Sequence, residues 1–242
     1  MNVATADPDP PVVLVAARDE ADRIGDTVRA LRAAFPGAHL VVADDGSGDG
    51  TSEIAMAAGA EVVRRGRPHG KGGSMTAAAH SVLDRAGEER EPVFLLCDGD
   101  LGASAGALAR LVAAVAAGEC DLAVGAFRRR RGGGFGVALG FARWAIRRRA
   151  GISPVAPISG QRALTSAALR AVVPFAAGYG MEVGMTIDAV RAGFRLREYE
   201  LDLEHRATGR SLGGFWHRFR QLLDSARVYL ERRETRDERR AT

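Results

Sequence analysis

The sequence predicts an α/β domain built on a mostly parallel sheet with helices on both faces. Three observations predict it. Short runs rich in Val, Leu and Ala recur along the chain; the segments between them carry apolar residues at helical spacing; and the links are short and rich in Gly and Asp. Strand and helix in regular alternation favour parallel strands joined by right-handed crossovers, and so a sheet covered on both sides. At 242 residues, one domain of this class accommodates the chain.

The elements follow in order. Val12-Val13-Leu14-Val15-Ala16-Ala17 is apolar throughout and preceded by prolines, the pattern of a strand buried on both faces. From Ala21 to Phe35, the residues Ile24, Val28, Leu31 and Phe35 fall on one helical face. A strand from Ala38 to Ala43 runs into Asp44-Asp45-Gly46-Ser47-Gly48-Asp49-Gly50-Thr51, a loop by its turn formers. A helix over Ser52 to Ala58, a strand over Glu61 to Arg64, a helix over Lys71 to Arg85 and a strand over Pro92 to Cys97 continue the alternation. Then come a helix over Ser104 to Ala117, a strand over Asp121 to Gly125, an arginine-rich stretch, and helices over Thr165 to Val172 and Met181 to Ala192. A strand over Arg195 to Asp202 and a long helix over Phe215 to Arg233 close the series. There is no repeat and no linker: residues 11–232 form one domain, with mobile ends expected at 1–10 and at the charged tail 233–242.

Composition narrows the class of protein. No apolar run approaches the roughly 20 residues of a membrane span, and the first ten residues are acidic and proline-rich where a signal peptide would be basic. A cytoplasmic protein is therefore expected. Cys97 and Cys120 lack metal or redox spacing and read as small buried hydrophobes. A net charge of +4 favours an anionic partner without choosing which.

Ligands of open α/β sheets collect at the carboxyl ends of the strands, where both acidic loops fall. Asp98 and Asp100 flank Gly99 at one such end, with the glycine expected to permit a sharp bend. Two carboxylates suit a hard cation, Mg2+ or Mn2+, which takes few protein oxygens and completes its shell with phosphates and water. A surface turn with two solvated acids is the plainer alternative, and the neighbouring motifs decide between them.

Those motifs carry a resemblance. Val41 to Thr51, Ala16-Ala17-Arg18-Asp19-Glu20 and Asp98-Gly99-Asp100, in order at three strand ends, resemble the donor-site signatures of glycosyltransferase family 2 and its GT-A relatives. Most members have Asn where this chain has Asp19. The resemblance implies a GT-A fold, with 11–127 as the nucleotide-sugar-binding half and 128–232 as the acceptor-side half. It also implies a UDP- or GDP-linked donor, a divalent metal and transfer of a hexosyl group. Asp44 or Asp45 would accept a base N–H, and Ala17, Arg18 and Glu20 would line base and ribose. Asp98 and Gly99 would lie at the diphosphate, and Asp100 would complete the metal step. Lys71, before a helix and between glycines, would set a cation near a phosphate.

Farther along, Pro157-Ile158-Ser159-Gly160-Gln161-Arg162-Ala163 resembles the stretch that lies between acceptor and donor in prenyl-phosphate sugar transferases and related enzymes, which implies Gly160, Gln161 and Arg162 as acceptor-binding residues, with Arg162 meeting a phosphate. Gly178 to Gly184 resembles the acceptor segment of glucosyl-3-phosphoglycerate synthases, with Glu182 orienting an acceptor or acting as its base; a glutamate that merely starts a helix is the alternative. In those synthases a histidine at the place of His205 completes the metal shell, and Arg206 and Arg210 would make its loop phosphate-facing.

Residues 128–149 hold eight arginines and no acid. With Phe135, Val137, Phe141 and Trp144 between the basic ends, the stretch fits an amphipathic segment on an anionic membrane, a grip on a phosphorylated acid, or a helix packed on the core or in a homodimer. Nucleic acid is disfavoured, since no aromatic-basic module of an RNA reader is present. Two rival functions share the fold features: an idle nucleotide-sugar binder, and a nucleotidyltransferase, which should carry a glycine-rich loop where this chain has Ala16 to Glu20. The expected location is cytoplasmic, with a peripheral position at the inner membrane face if 128–149 binds lipid.

Overall fold

The structure, a computed structural model, describes residues 9–86, 91–127, 136–203 and 222–232. In chain order the elements are β1 (Val12–Ala17), α1 (Ile24–Ala34), β2 (His39–Asp44), α2 (Thr51–Ala57), β3 (Glu61–Arg64), α3 (Lys71–Ala86) and β4 (Phe94–Asp98). These are followed by α4 (Ala109–Ala116), β5 (Leu122–Phe127), α5 (Gly136–Ala150), β6 (Arg162–Leu164), α6 (Ser166–Val172), α7 (Met181–Arg191) and β7 (Leu196–Leu201). Residues 222–232 form a further helix, α8.

The sheet has seven strands in the order β3-β2-β1-β4-β6-β5-β7. Every pairing is parallel except the two made by β6. Alternate residues of one strand feed opposite cores: Val13 and Val15 pack with Ile24, Val28 and Leu31 of α1, whereas Leu14 packs with Met75 and Ala79 of α3 and Met185 of α7. Burial on both faces explains why the central strands are unbroken apolar runs. Register then brings the site together: Ala17 pairs with Asp44 and Ala16 with Asp98, so β1, β2 and β4 end level with one another at one rim.

Two elements differ from the sequence expectation. The helix expected from Ser104 begins as a 3-10 segment, Gly102–Leu108, before α4 takes over. Its buried residues Gly102, Ala105 and Leu108 recur every third position, which suits three residues per turn. Strand β6 escapes the sequence because a three-residue strand carries no readable period and opens on an arginine.

Helix α5 occupies most of the basic stretch. Ala142 and Ile146 pack against Val183 and Ile187 of α7 and Val228 of α8. Phe141, Trp144 and Tyr229 form an aromatic cluster between α5 and α8, with Trp144 and Tyr229 centroids 4.7 Å apart, and Arg149 lies 3.9 Å over the Tyr229 ring. Arg128 to Arg131 and Phe135 lie outside the described residues. Cys97 and Cys120 are buried free thiols whose pKa values burial pushes up. Among the described residues, no helix is long and apolar enough to cross a membrane.

Candidate active site at the carboxyl rim of the sheet

The loops after β1 and β2 lock together first. Asp19 adopts a left-handed backbone, φ 53°, its N–H donates to Ser47 Oγ at 3.0 Å, and its Oδ1 accepts from Gly48 N–H at 3.0 Å. Asn and Asp tolerate this region best among residues with a Cβ, so the Asp-for-Asn difference at this position is conformationally mild. Glu20 N–H donates to Thr51 Oγ1 at 2.9 Å, and Asp45 N–H to Ala17 O at 3.0 Å.

Asp44 departs from the expectation that it reads a base. It is fully buried, and its oxygens accept from Ser47 N–H at 2.8 Å, Ser47 Oγ at 2.6 Å and Ser52 Oγ. Burial alone would raise its pKa; the hydrogen bonds from Ser47 and Ser52, with Arg64 nearby, hold it below the usual carboxylate value. Its work is to shape the loop. Asp45, 3% exposed, accepts His69 N–H at 2.8 Å and Gly70 N–H at 2.9 Å, one on each oxygen, and lies 3.9 Å from Arg18. It ties the β2 loop to the approach of α3. Ala17 is buried, Arg18 exposed and Glu20 half-buried along the same rim.

The backbone of the acidic turn is fixed by β1 and α1. Gly99 N–H donates to Ala16 O at 2.8 Å, Thr27 Oγ1 donates to Gly99 O at 2.7 Å, and Arg23 reaches Asp100 O at 3.4 Å. The chain turns at Gly99 and Asp100 as expected, but without a positive φ at the glycine. Close approach demands the glycine instead: a Cβ there would lie 3.1 Å from Ala16 O and 3.2 Å from Ile24.

At the centre, Lys71, the first residue of α3, donates from Nζ to Asp98 Oδ1 at 2.5 Å and to Glu182 Oε1 at 2.7 Å. Burial would push its pKa down, but Asp98 and Glu182 together hold it well above the ordinary lysine range. Glu182, in the first turn of α7, is 5% exposed. Gln161 closes the other side of Asp98: Nε2 donates to Oδ2 at 2.6 Å, and Oε1 accepts from Asp98 N–H at 3.1 Å. Gly160 lies so near that a Cβ would stand 2.5 Å from Lys71 Nζ and 2.6 Å from Asp98 Oδ2. Gly160 and Gln161, expected at the acceptor, instead lie against Lys71 and Asp98.

The rim fits a hard cation by its chemistry. Asp98 and Asp100 offer oxygen donors only and neither is fully buried, Asp98 keeping a third of its side chain exposed, while Asp98 Oδ1 is paired with the Lys71 ammonium. Among the described residues, no group of three or more His, Cys, Asp or Glu side chains forms a complete cage. His205, Arg206 and Arg210 lie outside the described residues.

With this geometry in place, the comparisons decide the family: residues 12–169 match the model for glycosyl transferase family 2. The chain belongs to glycosyl transferase family 2. No curated protein sequence matches it significantly. Among solved structures, a mycobacterial protein is similar at 29% identity and a TM-score of 0.73, covering 93% of this chain and 75% of that one. The glucosyl-3-phosphoglycerate synthase of Mycobacterium tuberculosis, solved with Mg2+ and UDP, is 27% identical at a TM-score of 0.71, covering 93% and 79%. The same synthase with Mn2+, UDP and glucosyl-3-phosphoglycerate is 26% identical at 0.70, covering 93% and 80%. The fold is thus that of GT-A enzymes, and this chain is a glycosyltransferase.

Within this family-2 chain, Arg162 is placed otherwise than expected. It is 1% exposed, and its guanidinium donates to Ser159 O at 2.8 Å, Thr186 Oγ1 at 2.9 Å and Pro157 O at 3.4 Å. Burial pushes its pKa down to about 10 against the pull of Glu182 and Glu198. A guanidinium so enclosed supports the 157–160 turn and presents no N–H to an acceptor phosphate. The link from Lys71 to Glu182, 111 residues apart, was the feature least visible in sequence. The motifs brought each residue to the site separately, and nothing in the sequence joins one to the other.

Proposed function

We propose that this glycosyltransferase moves a hexosyl group from a UDP- or GDP-sugar to a small phosphorylated acid of the phosphoglycerate type, with Mg2+ or Mn2+ bound through Asp98 and Asp100. One observation carries the reading: Asp98 at the rim is joined through Lys71 to Glu182, within 2.5 and 2.7 Å, so metal-side and acceptor-side carboxylates share one cation. The kinship with a synthase solved with UDP and glucosyl-3-phosphoglycerate supports the choice of donor and acceptor class.

When bound, the divalent ion supplies Lewis-acid neutralisation of the departing diphosphate. The residues of this chain do the rest. The interlocked loops at Arg18 to Glu20 and Asp45 to Thr51 receive the nucleotide. Lys71 adds a fixed positive charge where negative charge grows as the sugar–phosphate bond breaks. Glu182, held at the start of α7 by Lys71, orients the acceptor hydroxyl; in an inverting reaction it also takes the hydroxyl proton at a carboxylate oxygen. Basic residues from 204–210 would meet the acceptor phosphate.

A prenyl-phosphate acceptor is the second reading, favoured by one observation: α5 exposes Trp144 beside its basic end at Arg147 and Arg148, and Val137 at its start. A panel of nucleotide sugars against 3-phosphoglycerate and a short-chain prenyl phosphate, with and without Mn2+, separates these. Transfer to phosphoglycerate that is lost in EDTA is the expected result. Transfer only to the prenyl phosphate favours the second reading, and no transfer from any donor contradicts both.

A further inference from the structure

Asp98 belongs to the metal step of the reading above, and the inference here rests on that reading. A carboxylate on a short side chain at a strand end has free rotation about two bonds unless something holds it. Here the Lys71 ammonium holds Oδ1, and the second holder is Gln161. Its carboxamide meets Asp98 twice, donating from Nε2 to Oδ2 at 2.6 Å and accepting the Asp98 N–H on Oε1 at 3.1 Å. The amide cannot be reversed, since a flip would set its oxygen against the carboxylate and its N–H2 against an N–H.

Gln161 is itself well anchored. It is 1% exposed, its backbone O accepts from Gly125 N–H at 2.8 Å in β5, and its N–H donates to Ser159 Oγ at 3.3 Å. The Ser159 hydroxyl in turn donates to Gly125 O at 2.6 Å. The carboxamide therefore reaches Asp98 from a rigid base across the antiparallel pairing of β4 with β6, where Leu96 sits opposite Arg162. Gln161 is neutral and occupies Oδ2, while the Lys71 ammonium, held by Glu182 as well, faces Oδ1.

We infer that Gln161 is a positioning residue for the metal step: it fixes the Asp98 carboxylate so that Oδ1 faces the site of positive charge. Partners that orient a metal-binding carboxylate typically contribute 10–100-fold in metal affinity. The residue type matters, because an aliphatic side chain of the same size fills the space and holds nothing.

The test measures Mn2+ affinity of the full chain in the presence of UDP, by the electron paramagnetic resonance signal of free Mn2+. Wild type is compared with Gln161→Met, which keeps the volume, and Gln161→Asn, which keeps the amide and shortens its reach. Tm in EDTA and UDP affinity in EDTA are recorded beside it. Mn2+ binding about 10–100-fold weaker in both variants, with metal-free UDP affinity unchanged, supports the inference. Should Gln161→Met fail to fold, Gln161→Asn carries the comparison alone. Wild-type Mn2+ affinity in the variants, or a loss of UDP affinity in EDTA equal to the loss of Mn2+ affinity, overturns it. A wild-type chain that binds no Mn2+ with UDP overturns the metal reading itself, and the inference with it.

Discussion

Gly160 has no side chain to contribute, yet it sets the distance between Lys71 and Asp98. A Cβ at that position would fall 2.5 Å from Nζ and 2.6 Å from Oδ2, so Gly160→Ala must push the pair apart. Lys71 has a flexible arm to retreat with, so the strain stays at or below the roughly 1–3 kcal/mol of ordinary overpacking. We expect turnover at least about tenfold lower with a fall in Tm of no more than about 10 °C, read by steady-state kinetics and thermal unfolding side by side. Asp100→Ala removes one of two carboxylates from the metal step while leaving the turn's backbone bonds to Ala16 and Thr27 in place. It should cost a hundredfold or more in turnover, an order of magnitude typical of losing a charge-stabilising group, and abolish metal-dependent donor binding in a folded chain. Unchanged turnover in Mn2+ would contradict the assignment.

At the scale of elements, buried polar side chains hold the loops and turns that the strands leave behind. Arg162 opens β6 and binds the 157–160 turn and α7 through three acceptors. Arg162→Ala should therefore act on stability, since it strands buried acceptors that cost about 1–3 kcal/mol each when unsatisfied. Arg162→Lys should fail to restore it because one ammonium cannot replace the fork. Denaturant unfolding measures both. Asp44 holds the β2 loop in the same way through Ser47 and Ser52. Its folded pKa lies below the unfolded value near 3.9, so its stabilisation is fully present above that value and is lost as pH falls through the folded one. Ser52→Ala should cost about 1.5–3 kcal/mol at neutral pH, and the gap from wild type should close on acidification below about pH 4. A gap independent of pH would show that Ser52 acts otherwise.

For the whole molecule, the central sheet was legible because its strands are buried on both faces and written as continuous apolar runs, from Val12 to Ala17 and from Phe94 to Cys97. The acidic loops could be assigned to the ligand-binding rim for the same reason, since strand ends mark it. What stayed hidden was partnership across long separations. Nothing local distinguishes Asp44, engaged by its own loop, from Asp45, which crosses to His69 and Gly70. Nor does a run such as Gly160-Gln161-Arg162 reveal that its three residues face Lys71, Asp98 and Thr186 in turn. Only Arg162 belongs to β6, and a strand of three residues carries no period from which to read the directions of the two before it.

The central claim, that this family-2 enzyme works through a metal held at Asp98 and Asp100 beside a nucleotide-sugar, has one direct measurement. UDP or GDP release from a nucleotide sugar in the presence of 3-phosphoglycerate is followed for the wild-type chain while Mn2+ is removed with EDTA and restored. Acceptor-dependent release that disappears with the metal and returns with it is the expected result. Release that continues undiminished in EDTA would contradict it.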